Sequence, residues 1–214
     1  RGEILALLQD YGAPDSNWCD QVIEAHRLPY GVIGGAVEHE GGESLNWAVF
    51  FLDFGRHQLP LPEGPAVYLT DVNVSYKRPA LESVRDLWAA RYKEVTINWA
   101  LAGKGTVLWQ RPQIVVRQNR GQLSFRDLIA ERFSWGRLFG CIRSREIAPL
   151  TRLLYVILSP GIPLLLLARM ARKVFGTRRN RGRFIMALPQ LAAMTFIWCS
   201  GEFVGYLTGR ESSN

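Results

Sequence analysis

The sequence predicts an α/β layer structure over roughly its first 145 residues, followed by amphipathic and hydrophobic helices. Two observations carry that class. Strand-like and helix-like patterns alternate up to that point, and an apolar fraction of 48% with 7 tryptophans supplies one full core in 214 residues. A third sets the rest of the chain apart: beyond residue 152 come two long uncharged runs with a basic stretch between them.

In chain order, "SNWCDQVIEAHR" (16–27) places Trp18, Val22 and Ile23 on one helical side, with Ser16 or Asn17 as cap. "YGVIGGAV" (30–37) reads as a short buried strand ending at glycines, and "SLNWAVFFLDFGRH" (44–57) as a mostly buried helix. The proline-rich 58–65 is a loop, 66–78 is extended, and "ALESVRDLW" (80–88) is a short helix. In "RYKEVTINWALAGKG" (91–105), Tyr92, Val95, Trp99 and Ala102 recur at helical spacing and mark a core face. Glu94 sits beside that face with Asn98 one turn on, either as a solvated helix residue or as a carboxylate aimed into a cleft. Two short strands follow, 106–110 and 114–118, split at Arg111–Pro112; 124–147 is amphipathic and rich in arginine and aromatics.

The net charge of +7 invites a nucleic-acid reading, but its distribution argues against one. The run "RMARKVFGTRRNRGR" (169–183) holds seven basic residues and no acid, between apolar segments. That pattern suits an anionic membrane surface, and no nucleic-acid partner is expected. Cys19, Cys141 and Cys199 are odd in number and far apart, which excludes a disulfide framework and a CxxC metal knuckle and is compatible with a reducing cytosol. His26, His39 and His57 show no metal spacing and are expected to be structural or solvent-facing. The chain begins with Arg1, shows no signal peptide and reads as a fragment or a trimmed product.

The order and spacing of "PDSNWCDQVIEAH", "GVIGGAVEHEG", "DVNVSYKRPALE", "YKEVTINWALAGKG", "WQRPQIVVRQ" and "ERFSWGRLFG" resemble the C-terminal part of an inverting family 2 glycosyltransferase of the GT-A type. The resemblance implies a partial GT-A, Rossmann-like domain, a nucleotide-sugar donor, and a glycan or lipid-linked acceptor. The family's first half, with the nucleotide pocket, would lie before Arg1. Glu94 falls where relatives carry the catalytic base, which takes the acceptor hydroxyl's proton as that oxygen attacks the sugar carbon in line. Asn73 would be a polar contact to donor or acceptor, with a solvated strand face as the alternative. Gly34 and Gly35 would let a sugar or a backbone approach closely, although a plain turn needs the same residues. The family's D-x-D metal motif is degraded: Gln9 and Tyr11 occupy the aspartate positions, and only Asp10 between them offers a carboxylate for Mg or Mn. Asp10 is equally a turn-former. "ERFSWGR" stands where processive relatives carry Q-x-x-R-W, so Arg132, Trp135 and Arg137 would contact diphosphate and acceptor; an interfacial helix with arginines toward headgroups is the competitor.

The domains expected are a C-terminal half of the GT-A domain at 1–122, an amphipathic interface helix at 123–147, and a hydrophobic hairpin at 148–209 with its basic linker at 169–183. The apolar runs, 153–168 and 184–201, hold 16 and 18 uncharged residues and are interrupted by Pro160, Pro163 and Pro189. Both fall short of the roughly 20 residues of a straight crossing. Nucleotide sugars are cytosolic, and the positive-inside rule opposes sending the linker across. A hairpin that dips into the cytosolic leaflet satisfies both constraints, with a two-span hairpin as the alternative. The expected protein is therefore a membrane-associated sugar transferase with its catalytic part on the cytoplasmic face. A catalytically inactive membrane-bound scaffold derived from a transferase is the second reading.

Overall fold

The computed structural model describes residues 2–90 and 92–210. The fold is mixed α/β, and the chain divides into two units, Arg1–Glu40 with His57–Asn119 and Gly41–Arg56 with Arg120–Asn214. The units change after Asn119, and Gly41–Arg56, from inside the first stretch, belongs to the second unit.

The first unit is built on β1 (Ile4–Leu8), β2 (Gly12–Pro14), β3 (Val32–His39), β4 (Gly64–Pro65), β5 (Asn73–Lys77) and β6 (Leu108–Gln118). Their order is β1-β5-β3-β6-β2, with β4 also on β6. β3 and β6 are parallel, and β5 is antiparallel to both β1 and β3, so β1, β3 and β6 share one direction. Alternation sorts the two faces of the sheet. Val74 and Tyr76 join Leu5, Leu7, Val32 and Leu108 in a core with Ile97 and Leu101 of α5 (Glu94–Gly103). On the other face, Asn73 and Ser75 meet Trp18 of α1 (Trp18–Ala25) and His26, while Lys77 Nζ donates to the Leu28 carbonyl. Helix α1 buries Trp18, Val22 and Ala25, whereas Ile23 is 55% exposed, so the buried stripe is turned away from Ile23. The extended stretch narrows to β5, and the helix expected at 80–88 is two short ones, α3 (Arg78–Glu82) and α4 (Arg85–Trp88).

β3 runs through its glycines instead of ending there. A Cβ on Gly34 would lie 2.6 Å from the Leu69 side chain, and one on Gly35 only 2.1 Å from the Ile114 carbonyl oxygen. The two strands expected around Arg111–Pro112 are one strand with a large bulge. Gln110 pairs with Gly34 and Val115 with Ala36, so residues 111–114 fold over Gly35 alone. The missing side chain makes that overhang possible.

The second unit contains α2 (Ser44–Asp53), α6 (Phe125–Glu146), α7 (Pro149–Leu158), α8 (Ile162–Thr177) and α9 (Arg181–Thr208). α2 is shorter than the helix expected at 44–57, and its Phe51 ring packs edge-on against Phe184 of α9. The α6–α9 contact is glycine on glycine. Cβ atoms on Gly136, Gly140, Gly201 and Gly205 would each lie within 2.4 Å of a carbonyl oxygen of the facing helix. Each helix thus offers a Gly-x-x-x-Gly pair that lets the backbones touch. The segments Pro149–Thr177 and Arg181–Thr208 are both long and apolar enough to cross a membrane. The basic stretch is not a loop. Arg169, Arg172 and Lys173 continue α8, Arg181 and Arg183 begin α9, and residues 178–180 alone make the turn, with Arg178 and Asn180 left-handed.

Candidate functional site

The shared direction of β1, β3 and β6 gathers their carboxyl ends at one edge of the sheet, the place where open α/β sheets bind ligands. Antiparallel β5 begins at that edge. Gln9 follows β1, Gln118 ends β6, His39 ends β3, and Asp71 lies two residues before β5. Side chains link these positions. Gln118 Nε2 donates to Gln9 Oε1 at 3.2 Å, and Gln9 Nε2 donates to Asp71 Oδ1 at 3.3 Å. Asp71 is in turn within hydrogen-bonding reach of Glu94, and the Tyr68 hydroxyl bonds Glu94 as well.

Glu94 arrives there because α5 turns a different face inward from the one its aromatic spacing suggests. Ile97, Asn98 and Leu101 are buried, Trp99 is half-buried and Ala102 is exposed. Glu94 precedes those three by 3, 4 and 7 residues, so it begins the buried stripe and does not sit beside it. The helix closes at Gly105, whose φ of +79° lets the Thr106 N–H reach the Leu101 carbonyl. Asn98 fixes the partner loop. Its amide donates to the carbonyls of Leu69 and Glu94 and accepts from the Leu69 N–H, which pins the 68–71 segment across the start of α5.

Burial raises the Glu94 carboxyl first, and the neighbouring Asp71 charge second, to about 8. Asp71 is also raised, again chiefly by burial. The start of a helix favours a carboxylate by only about 0.3–1 kcal/mol, so burial and the like charge win. Two carboxyls this close share one proton near neutral pH and titrate as a pair. Glu94 Oε1 is buried and accepts no hydrogen bond among the described residues. Tyr76 and Tyr92 pair their hydroxyls at 2.8 Å nearby, and burial pushes the Tyr76 phenol up to about 12.

The remaining residues singled out in the sequence are placed as follows. Asn73 is 1% exposed, and its amide is committed to the fold: Trp18 Nε1 donates to it, and it donates to the carbonyls of Ala36 and Ile114. Gly34 and Gly35 admit Leu69 and Ile114 of the protein itself. Asp10 is exposed at the tip of the tight turn closed by the Gly12 N–H on the Gln9 carbonyl. Among the described residues no group of three or more His, Cys, Asp or Glu gathers that could hold a metal, so Asp10 offers a single carboxylate. Arg132, Trp135 and Arg137 belong to the second unit. Arg132 is fully buried, paired with Asp53 and Glu131, and lies 5.0 Å from the Trp135 ring. Trp135 is 44% exposed, and Arg137 Nε donates to the Arg210 carbonyl. All three histidines are buried; His26 bonds Ser75 and His39 bonds the Gln118 carbonyl.

Asp71, Asn98, Gln9 and Gln118 complete the site; the sequence marks Asn98, one turn after Glu94, and Gln9, at a motif position, but gives no signal for Asp71 or Gln118. No family model matches the chain, and no curated protein matches it.

Proposed function

We propose that the sheet unit is the acceptor-side half of an inverting glycosyltransferase that uses a nucleotide-sugar donor. One observation carries the reading: Glu94 and Asp71 share a buried site at the carboxyl edge of the sheet, with Glu94 Oε1 left without a proton donor among the described residues. A general base needs a proton affinity near the working pH, and this pair supplies one. In the reaction, the acceptor hydroxyl oxygen forms the new bond to the anomeric carbon. The bond from that carbon to the diphosphate oxygen breaks, the nucleoside diphosphate leaves, and the hydroxyl proton passes to Glu94. Glu94 accepts that proton in its ionised form, and burial, together with the Asp71 charge beside it, is what raises its proton affinity. Asp10 would hold a divalent cation together with the donor's diphosphate oxygens and water, the way a hard cation commonly binds at phosphates, and that cation would neutralise the leaving group. Glycoside hydrolysis fits less well, because its two carboxyls stand about 5 to 9.5 Å apart and these two are in direct reach.

The second unit supports attachment to a membrane, which suits a lipid-linked or growing glycan acceptor on the cytoplasmic face, where nucleotide sugars are found. The competing reading is an inactive scaffold. It is favoured by Gln9, which stands at a position where relatives carry a metal-binding aspartate and spends its amide on Gln118 and Asp71. Assay of the full-length protein with a panel of nucleotide sugars separates the two. Donor turnover that disappears in Glu94→Gln supports the transferase; no turnover with any donor supports the scaffold.

A further inference from the structure

Helix α9 is apolar enough to cross a bilayer, yet helices of its own unit accompany it along its length. Its first turns lie on α2, with Phe184 against Phe51 and Gln190 donating to Ser44. Its later turns run beside α6 in the same direction, since Gly201 meets Phe133 and Arg137 while Gly205 meets Arg137 and Cys141. α6 carries eight charged residues among 22. At backbone contact, α9 cannot enter hydrocarbon over that half without taking α6 along, and every charge on α6 opposes this. Glu202, itself buried, lies within the same contact.

The other apolar segment is fastened to α9 at both ends. Arg152 of α7 donates to the carbonyls of Tyr206 and Leu207, and α8 leads through the 178–180 turn into the start of α9. The segment α7–α8 therefore runs back along α9 instead of standing away from it. Its inner stripe is Arg152, Tyr155, Ser159, Pro163 and Val174, all buried or half-buried. On its outer stripe, Leu150, Leu154, Ile157, Leu158, Leu164 and Leu165 are each 50–78% exposed. Along the same stripe the surface then turns basic at Arg169 and Arg172, both exposed.

We propose that this unit lies flat on one leaflet of an anionic membrane, with the outer stripe of α7–α8 sunk at the boundary between headgroups and acyl chains and neither apolar segment crossing. The inference rests on the membrane reading above and narrows it. An apolar stripe that ends in arginines is the form of an in-plane helix. The basic residues of α8, the turn and the start of α9 meet lipid phosphates at the same level. A second copy of the chain on this face would bring the same positive charge, whereas an anionic leaflet brings the opposite one.

Topology and depth test it in the full-length protein. Arg179→Cys is compared with the exposed native Cys19 by labelling intact cells with an impermeant maleimide. Both sites should be protected until the membrane is opened. Labelling of position 179 from outside while Cys19 stays protected would overturn the proposal. Nitroxides at 154, 158 and 165 should then report one shallow depth in vesicles of phosphatidylcholine and phosphatidylglycerol; a gradient reaching the bilayer centre means a dipping hairpin and also overturns it. Leu158→Glu with Leu165→Glu should weaken vesicle binding roughly tenfold or more, as loss of buried apolar area requires. Because both side chains are exposed, circular dichroism should stay unchanged. Wild-type protein that ignores these vesicles defeats the membrane reading itself. A lipid-independent dimer in which a label at 158 is shielded assigns the face to a second copy and overturns the proposal.

Discussion

The two units treat buried charge in opposite ways. In the sheet unit, carboxyl faces carboxyl, and burial raises the proton affinity of both Asp71 and Glu94. In the helical unit, a fully buried guanidinium is clamped by Asp53 and Glu131, opposite charges at fixed geometry. The first arrangement is costly to the fold and useful to chemistry, because it leaves a carboxylate in search of a proton. The second holds α6 to α2 and offers no group to a substrate. Burial of a charge is thus no sign of function by itself; the sign of the neighbour decides.

Substitutions can break this contrast. Glu94→Gln keeps the shape but removes the proton acceptor, so transfer should fall about 10²- to 10⁴-fold, with donor affinity nearly unchanged. Turnover above half of wild type would reduce Glu94 to a helix residue. Arg132→Ala should leave Glu94 and Asp71 untouched but strand the Asp53 carboxylate, at a cost of about 3–5 kcal/mol in unfolding stability. Thermal unfolding followed by circular dichroism reads this directly, and Arg132→Met with Asp53→Leu should recover most of the loss.

Two milder tests sharpen the comparison. Asp71→Asn removes the like charge from Glu94, so the acid limb of the pH–rate profile should move to lower pH by about one unit or more. A limb that stays in place would mean that the two carboxyls do not interact. The smallest effect is in stability against pH. The folded pKa of Glu94 lies above its unfolded value, so its contribution falls as pH rises from about 4.5 toward 8. His26 is lowered to about 4, chiefly by burial, and opposes this slope between roughly 4 and 6.5, where the unfolded chain binds the extra proton. The decline from about pH 6.5 to 8 is the part that His26 does not oppose, and Glu94→Gln should flatten it. Chemical denaturation at stepped pH would show whether it does.

Much of the mixed α/β class can be read from alternation and composition. The inner face of α5 cannot. Tyr92, Val95 and Trp99 form one apolar stripe and Ile97 with Leu101 another, and periodicity does not choose between them. The sheet chooses, because Ile97 and Leu101 fit beneath Tyr76 and Leu108. Glu94 is conspicuous in the sequence, but its partner is not. Asp71 reaches it only because Asn98 grips both backbone groups of Leu69 across 29 residues. Gly136, Gly140, Gly201 and Gly205 are visible as spaced pairs, yet nothing local says that they face each other across 60 residues and more. Asn73 shows the reverse: a polar residue on a strand face that looks available to a ligand is wholly occupied by the fold.

The placement of α2 bears on how this protein can be dissected. The chain leaves the sheet unit at residue 41, contributes one helix to the other unit, and returns by residue 57. Neither unit is a contiguous stretch of gene. A truncation near residue 120, where composition invites the cut, would carry α2 away from α9 and bare Phe51 and the rest of its apolar side. Such a fragment should be sticky and poorly soluble even with its sheet intact. Expression failure after that cut would report an orphaned helix and say nothing about the sheet unit.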